Sequence, residues 1–187
     1  RPTKQSYLDG GANDDVLISA SGHTVAHGGN DNDLLIGTRS GRTTFYTGKG
    51  RDEIWNNQRN DHIYAGATDR FDRTKGSTST EVKPSNAGKQ GFEAQADADA
   101  TVERQQAFEQ RVADDFEFLR SSPIGQQALT QMDELAVTNN GKVTLQQDFS
   151  GNNSYLFHSS ALENEQAALQ DDSDVIPTDE FIKNGVA

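Results

Sequence analysis

The chain has 187 residues, of which only 32% are hydrophobic, and its formal net charge is −12. This acidity argues against nucleic acid as a partner, because phosphate backbones attract basic surfaces. The chain contains no cysteine, which excludes disulfides and thiolate metal sites. No apolar run approaches the roughly 18 residues of a membrane span, so we predict neither a span nor a signal peptide.

One short phrase recurs along the first third of the chain. It reads GGANDDVLI from Gly10, GGNDNDLLI from Gly28 and TGKGRDEIW from Thr47, with weaker copies from Ser19, Gly37 and Asn56. The phrase has an Asp at its sixth place and an apolar residue at its eighth, which is typical of a parallel β-roll. We therefore predict a short β-solenoid over residues 8–67, with about six half-coils and one inserted residue near Tyr46. The eighth-place residues predicted to point inward are Leu17, Ala26, Leu35, Ile54 and Ile63.

The aspartates of the repeat are predicted to gather on one edge of the roll. Two phrases complete one coil, so the turns at 10–15, 28–33 and 47–52 should stack, whereas the other edge has Thr24 and Arg42 at the sixth place and recovers an acid only at Asp61. Calcium prefers six to eight oxygen ligands, and glycine allows turns in which carbonyls crowd around an ion. The predicted calcium residues are Gly10, Gly11, Asn13, Asp15, Gly28, Gly29, Asp31, Asp33, Gly48, Gly50 and Asp52. The alternative is a degenerate solenoid in which cations such as Lys49 and Arg51 replace the metal.

A second metal pattern, H-T-V-A-H at His23 and His27, is predicted to have no metal role. Zinc peptidases carry such a histidine pair on a helix, with a Glu directly after the first His as general base. Here Thr24 occupies that place, and the segment belongs to the predicted strands.

The second half of the chain predicts a small α+β segment. Residues 68–100 lack apolar periodicity and predict a flexible linker. A helix is expected from Thr101, and a second from Pro123 with Ser122 as its N-cap. The second helix should end at Asn139-Asn140-Gly141, with a hairpin over 142–158 and a weakly ordered acidic tail over 159–187. The predicted apolar stripes are Val102, Phe108, Val112, Phe116 and Leu119 on the first helix, and Ile124, Ala128, Met132 and Leu135 on the second.

Two family resemblances extend these predictions. Residues 8–64 resemble the RTX-type calcium-binding β-roll of bacterial toxins and secreted proteases. Residues 107–157, especially DDFEFLRSSPIGQQALTQMDE and GKVTLQQDF, resemble the opening of NleD-like effector zinc metallopeptidases, which bacteria deliver into host cells. Members of that family carry H-E-x-x-H downstream, and this sequence has no such motif, so no catalytic residue can be assigned and Zn²⁺ is expected only if a downstream motif exists.

The resemblances imply a non-catalytic N-terminal portion of a secreted effector or toxin, which acts on a host protein and whose Ca²⁺-binding roll supports export and folding. The alternative is a non-enzymatic secreted adhesion or binding module built on a degenerate RTX solenoid.

Overall fold

The first part of the chain forms a parallel β-solenoid in the computed structural model, which describes residues 5–20, 22–147 and 156–157. One sheet has five strands and the other has four, so the roll completes about four coils. Sheet A consists of β1 (Gln5–Gly11), β3 (Gly22–Asn30), β5 (Gly41–Lys49), β7 (His62–Ala65) and β9 (Thr78–Glu81). Sheet B consists of β2 (Val16–Ile18), β4 (Leu34–Ile36), β6 (Glu53–Trp55) and β8 (Arg70–Phe71). The predicted fold class is thus confirmed, with more coils than expected.

The core of the roll is a thin ladder of apolar side chains between the two sheets. Alternate residues of a strand point to opposite faces, so one residue from each short strand turns inward. The buried members are Ala26, Leu35, Phe45, Ile54, Ile63 and Ala65, with Leu8, Leu17 and Phe71 packed against them. The five predicted inward positions are therefore confirmed, and Phe45 is a further member that the predicted frame placed wrongly.

The frame error comes from the position of the extra residue. Strands β1 and β3 pair with a spacing of 18, as in Gly11↔Gly29. Strands β3 and β5 pair with a spacing of 19 along their whole length, beginning at Gly22↔Gly41. The insertion therefore lies between Ile36 and Gly41 rather than near Tyr46, and Thr43, not Arg42, pairs with Thr24.

The roll continues past the predicted boundary at residue 67. Strand β8 pairs in parallel with β6, and β9 pairs in parallel with β7. A 3-10 helix over Arg73–Lys75 connects them, with Asp72 as N-cap. The region predicted as a linker over 68–100 thus contains regular structure, because strand pairing with the preceding coil does not require the apolar periodicity that the prediction used.

The chain divides into two compact units. Of the described residues, the first contains those up to 87 together with 113–129, and the second contains 88–112 and those from 130 onwards. Two helices, α1 (Val102–Arg120) and α2 (Pro123–Asn139), each contribute to both units. No helix in the described part of the chain is long and apolar enough to cross a membrane.

The helix ends follow the predicted capping residues. The N–H of Gly125 donates to Oγ of Ser122 at 3.1 Å, which caps α2 directly before Pro123. At the other end, Asn140 adopts φ of 49°, and the N–H of Gly141 donates to the carbonyl of Ala136 at 3.0 Å. These bonds satisfy backbone groups that a helix end leaves free.

The buried face of α2 differs from the predicted stripe. Leu129 and Ala136 are buried, whereas Ile124 is 80% exposed and Leu135 is 46% exposed. On α1, Phe108, Val112 and Phe116 are half-buried, but Val102 and Leu119 are exposed. Periodicity therefore located the helices but did not identify which face of each is buried, because apolar residues recur on more than one side of each helix.

The second unit contains a small sheet of β10 (Phe92–Gln95), β11 (Val143–Gln146) and β12 (Leu156–Phe157). Strands β11 and β12 pair antiparallel, as the hairpin prediction requires, and β10 adds a parallel strand that was not predicted. The carboxylate of Asp133 accepts hydrogen bonds from the N–H groups of Gly88, Gln90 and Gly91 at 2.5–2.8 Å, which fixes the segment before β10. The turn of the hairpin and the predicted acidic tail over 159–187 lie outside the described residues.

Candidate metal centre on one edge of the roll

The turns predicted to bind calcium stack along one edge of the roll. The glycines at the second place of the phrase, Gly11, Gly29 and Gly48, all have positive φ and lie in register. Two residues later in the phrase, Asn13 and Asp31 also have positive φ, at 76° and 73°. Asn and Asp tolerate this left-handed conformation better than other non-glycine residues, which explains why they can replace the third glycine of the repeat.

The sixth-place aspartates form a ladder that crosses from coil to coil. The N–H of Asp15 donates to Oδ1 of Asp33 at 2.9 Å, and the N–H of Asp33 donates to Oδ1 of Asp52 at 2.8 Å. The N–H of Asp52 in turn donates to Oδ1 of Asp69 at 3.0 Å. The carboxylates of Asp33, Asp52 and Asp69 therefore each use one oxygen to hold the backbone of the preceding coil.

The second oxygen of three of these carboxylates is buried and unpaired. Within the described residues, no donor reaches Oδ2 of Asp15, Asp33 or Asp52. A buried polar atom without a partner is unfavourable, and such atoms are uncommon in folded proteins. These three oxygens are therefore the atoms of the carboxylate ladder that a bound cation would stabilise.

Glycine at the first place of the turn leaves room for oxygen atoms. A Cβ added to Gly28 would lie 2.4 Å from the carbonyl oxygen of Thr47 and 2.5 Å from Oδ2 of Asp33. A Cβ on Gly10 would lie 2.4 Å from the carbonyl oxygen of Gly28 and 3.0 Å from Oδ2 of Asp15. Each site thus brings a carboxylate oxygen and a backbone carbonyl together beside a glycine, which are ligand types that calcium accepts.

Burial also changes the acidity of the ladder. Burial, assisted by the neighbouring carboxylate of Asp15, raises the pKa of Asp33 to about 6 against an opposing backbone hydrogen bond. Burial raises the pKa of Asp52 to about 7, with the carboxylates of Asp69 and Asp33 as additional causes. A nearby cation would relieve this unfavourable burial of negative charge.

Two other aspartates of the roll have both oxygens occupied. Oδ2 of Asp69 accepts from the N–H of Gly66 at 2.7 Å and from Oγ1 of Thr47 at 2.6 Å. On the opposite edge, Asp61 accepts from the N–H of Thr43 and of Gln58, both at 2.7 Å. Asp69 was not predicted as part of the column, and the signal that could have identified it is Gly66 followed by Asp69 and the Arg70-Phe71 strand.

The outer rim of the same turns is held by a separate set of bonds. The N–H of Asn32 donates to Oδ1 of Asp14 at 2.9 Å, and the N–H of Arg51 donates to Oδ1 of Asn32 at 3.1 Å. The N–H of Asn13 donates to Oδ2 of Asp31 at 3.2 Å. The Asp31 carboxylate therefore links two turns and lies apart from the buried ladder.

The cations of the third turn do not neutralise the ladder through a direct contact. The ammonium of Lys49 lies 2.7 Å from Oε2 of Glu117, on helix α1. Arg51 is exposed, and the bond given above is made by its backbone. Among the described residues, neither Lys49 nor Arg51 forms an ion pair with an aspartate of the ladder, as their replacement of calcium would require.

The histidine pair lies along strand β3, as predicted, and does not converge on a metal. Residues four apart on a strand are separated by about 13 Å. His27 is buried, with Nδ1 3.0 Å from Oδ1 of Asp9, and burial lowers its pKa. Across residues 5–20, 22–147 and 156–157, no three His, Asp or Glu side chains cluster as a metal site. A cation on the ladder would therefore take one carboxylate oxygen from a turn and complete its shell with backbone carbonyls.

Comparison with known proteins gives one match. The family model Peptidase_M91, described as effector protein, matches residues 96–182, which is just under half of the chain. The matched segment begins after the roll and directly after β10, and it includes both helices and strands β11 and β12. No curated protein and no solved structure matches the chain. The matched similarity to an effector family thus lies in the second half of the chain.

Proposed function

We propose that this chain is the non-catalytic N-terminal portion of a secreted bacterial effector of the zinc metallopeptidase type, delivered into host cells. The match of residues 96–182 to the Peptidase_M91 effector family carries this proposal. The chain contains no H-E-x-x-H motif, so the proposal assigns it no catalytic residue.

The reading frame that contains this chain tests the proposal. An H-E-x-x-H codon pattern downstream of Ala187 in the same frame supports a peptidase effector. A frame that instead continues with further nine-residue repeats would contradict it and favour the secreted binding module.

We further propose that the roll binds calcium at Asp15, Asp33 and Asp52. The unpaired buried oxygens of these residues support the proposal, together with the carbonyls of Gly28 and Thr47 beside them. Bound calcium would supply positive charge to carboxylates whose burial is otherwise unfavourable. Because a ligand that binds only the folded state stabilises it, calcium would favour folding outside the bacterium, where the ion is abundant.

Calorimetric titration with calcium tests the metal proposal, with far-UV circular dichroism recorded in parallel. We expect saturable heat and an increased β-sheet signal in the low millimolar range. Asp33→Asn should remove most of the heat, because it converts the central unpaired oxygen of the ladder into an amide. Asp99→Asn changes the charge equally at an exposed position and should bind like the unaltered chain.

The absence of both heat and spectral change in millimolar calcium would overturn the metal proposal. Equal loss of binding in the Asp33 and Asp99 variants would also contradict it, since that result would indicate diffuse attraction to an acidic protein.

A further inference from the structure

The outer face of sheet A carries a groove that the metal edge does not involve. The groove has a volume of about 410 Å³. Its walls include Arg42, Thr44, Tyr46, His62, Tyr64 and Thr78, all from the neighbouring strands β5, β7 and β9. A groove of this size on a rigid sheet can hold part of an extended polar ligand.

The groove contains a fixed aromatic surface. The rings of Tyr46 and Tyr64 are stacked with centroids 4.6 Å apart and planes 1° from parallel. Phe118 meets Tyr46 edge-on at 5.1 Å, which further restricts the pair. On the other side of Tyr64 the next strand places Thr80, whose small side chain cannot cover an aromatic ring.

Polar groups surround this aromatic surface. Arg42 is exposed, and its guanidinium Nη2 lies 3.3 Å from Nε2 of His23. His62 lies against Tyr64 with centroids 4.5 Å apart, and its Nε2 is 3.3 Å from Oγ1 of Thr80. The hydroxyl of Thr44 lies on the same face as these groups, since it shares the outward alternation of β5 with Arg42 and Tyr46.

The charge available in the groove is positive. The carboxylate of Asp61, which also borders it, is buried and accepts backbone hydrogen bonds on both oxygens. Arg42 is therefore the charged side chain of the groove that a ligand can reach, whereas the chain as a whole has a net charge of −12. A ligand that carries a carboxylate can pair directly with this exposed guanidinium.

A second cleft of about 300 Å³ lies near Lys49 and Arg120 and differs in this respect. There Glu117 binds both cations, at 2.7 Å and 2.8 Å. The guanidinium of Arg120 also donates to the carbonyl of Ala87 at 2.6 Å. The cations of that cleft already have partners, so the groove on sheet A is the stronger candidate for an acidic ligand.

We propose that the groove on sheet A binds an acidic oligosaccharide, in which a sugar ring rests against Tyr64 and a uronate carboxylate pairs with Arg42. A sugar ring combines an apolar C–H face with polar edges, which matches an aromatic ring bordered by hydroxyl and imidazole groups. A planar guanidinium suits a carboxylate because it can donate two parallel hydrogen bonds. Arg42 lies four residues from Tyr46 along β5, a separation of about 13 Å, and Tyr46 pairs with Tyr64, so the carboxylate and the ring contact would belong to different sugar units of the oligosaccharide.

Titration of the full chain with a uronate oligosaccharide tests this proposal, against a neutral oligosaccharide of the same length and linkage. Calcium concentration and pH are held constant in every arm, because calcium itself can associate with uronates. We expect saturable binding of the uronate and at least tenfold weaker binding of the neutral sugar. Arg42→Gln and Tyr64→Leu should each weaken uronate binding at least tenfold.

Arg39→Gln is the matched control, since it removes the same charge from an exposed turn residue outside the groove. Far-UV circular dichroism of each variant separates loss of binding from loss of the roll. Equal binding of both sugars, an unchanged Arg42 variant, or equal losses in the Arg39 and Arg42 variants would overturn the proposal. Tighter binding of a nucleoside phosphate than of the uronate would also overturn it.

Discussion

Asp52 and Asp69 occupy the same column of the roll, but Oδ2 of Asp69 accepts hydrogen bonds whereas Oδ2 of Asp52 is unpaired. Asp69 follows Gly66 by three residues, and its Oδ2 accepts the N–H of that glycine. Asp33 follows Gly28 by five residues, and the longer turn leaves its Oδ2 unpaired, as in Asp52. Turn length therefore decides whether an aspartate of the column closes on its own turn or keeps an oxygen available for a ligand.

Identical substitutions at the two positions should have the largest and most contrasting effects. Asp69→Asn should lower the free energy of unfolding by about 2–4 kcal/mol, because an amide nitrogen cannot accept from Thr47 and Gly66. Asp52→Asn should leave the calcium-free protein equally stable or more stable, since it removes a buried charge and keeps one acceptor oxygen. Urea unfolding followed by circular dichroism measures both.

A similar loss of stability in both variants would contradict the distinction between Asp69, whose Oδ2 is hydrogen-bonded, and Asp52, whose Oδ2 is unpaired. With calcium present, the Asp52→Asn variant should have a lower free energy of unfolding than the unaltered chain, because the variant cannot gain the stabilisation that the metal gives to that chain.

The stability of the calcium-free roll should depend on pH through Asp33 and Asp52, the aspartates with an unpaired Oδ2. The folded-state pKa values of Asp33 and Asp52, about 6 and about 7, lie above the ordinary value of 3.8. The folded state therefore binds more protons than the unfolded state between about pH 4 and pH 7. The contribution of these groups to stability is fully present below pH 4 and is lost as the pH rises through 7.

Thermal unfolding at pH 4, 6 and 8 in the presence of a chelator measures this effect. We expect the midpoint to fall as pH rises, and an Asp33→Asn, Asp52→Asn double variant to reduce that fall. A double variant with the same slope as the unaltered chain would show that other groups control the pH dependence.

The smallest effect is expected for an exposed carboxylate of sheet B. Glu53 lies 3.9 Å from Arg70, and their side chains are 44% and 63% exposed. Surface ion pairs of this kind contribute about 0–1 kcal/mol, so Glu53→Gln should change the free energy of unfolding by less than about 1 kcal/mol. A larger loss in the same urea assay would mean that exposed charges of the roll matter as much as the buried ladder.

The repeat pattern was sufficient to predict the roll, its inward residues and the stacking of Asp15, Asp33 and Asp52. It failed to predict Phe45 as an inward residue, because one inserted residue shifts the assignment of residues to the nine places of the repeat. That assignment is reliable only where the phrase is well preserved. Strands β8 and β9 escaped prediction because their sequences, RF and TSTE, depend on pairing with the coil before them. The unpaired oxygens could not be predicted, since they depend on distances across coils.

The second half shows the same limit in another form. Local signals such as Ser122-Pro123 and Asn140-Gly141 placed the ends of α2 correctly, because capping is decided within a few residues. The buried face of α2 depends on packing with distant parts of the chain, so Leu129 and Ala136 were missed in favour of Ile124 and Leu135.

The extra residue between Ile36 and Gly41 has a practical consequence. It lengthens one coil from 18 to 19 residues, yet the strands on both sides keep an unbroken parallel register. The turn at 37–40 lies on the edge opposite the aspartate column, so a change in its length leaves Asp33 and Asp52 aligned. Foreign peptides grafted into this turn would thus be displayed on a rigid support without disturbing the carboxylate ladder.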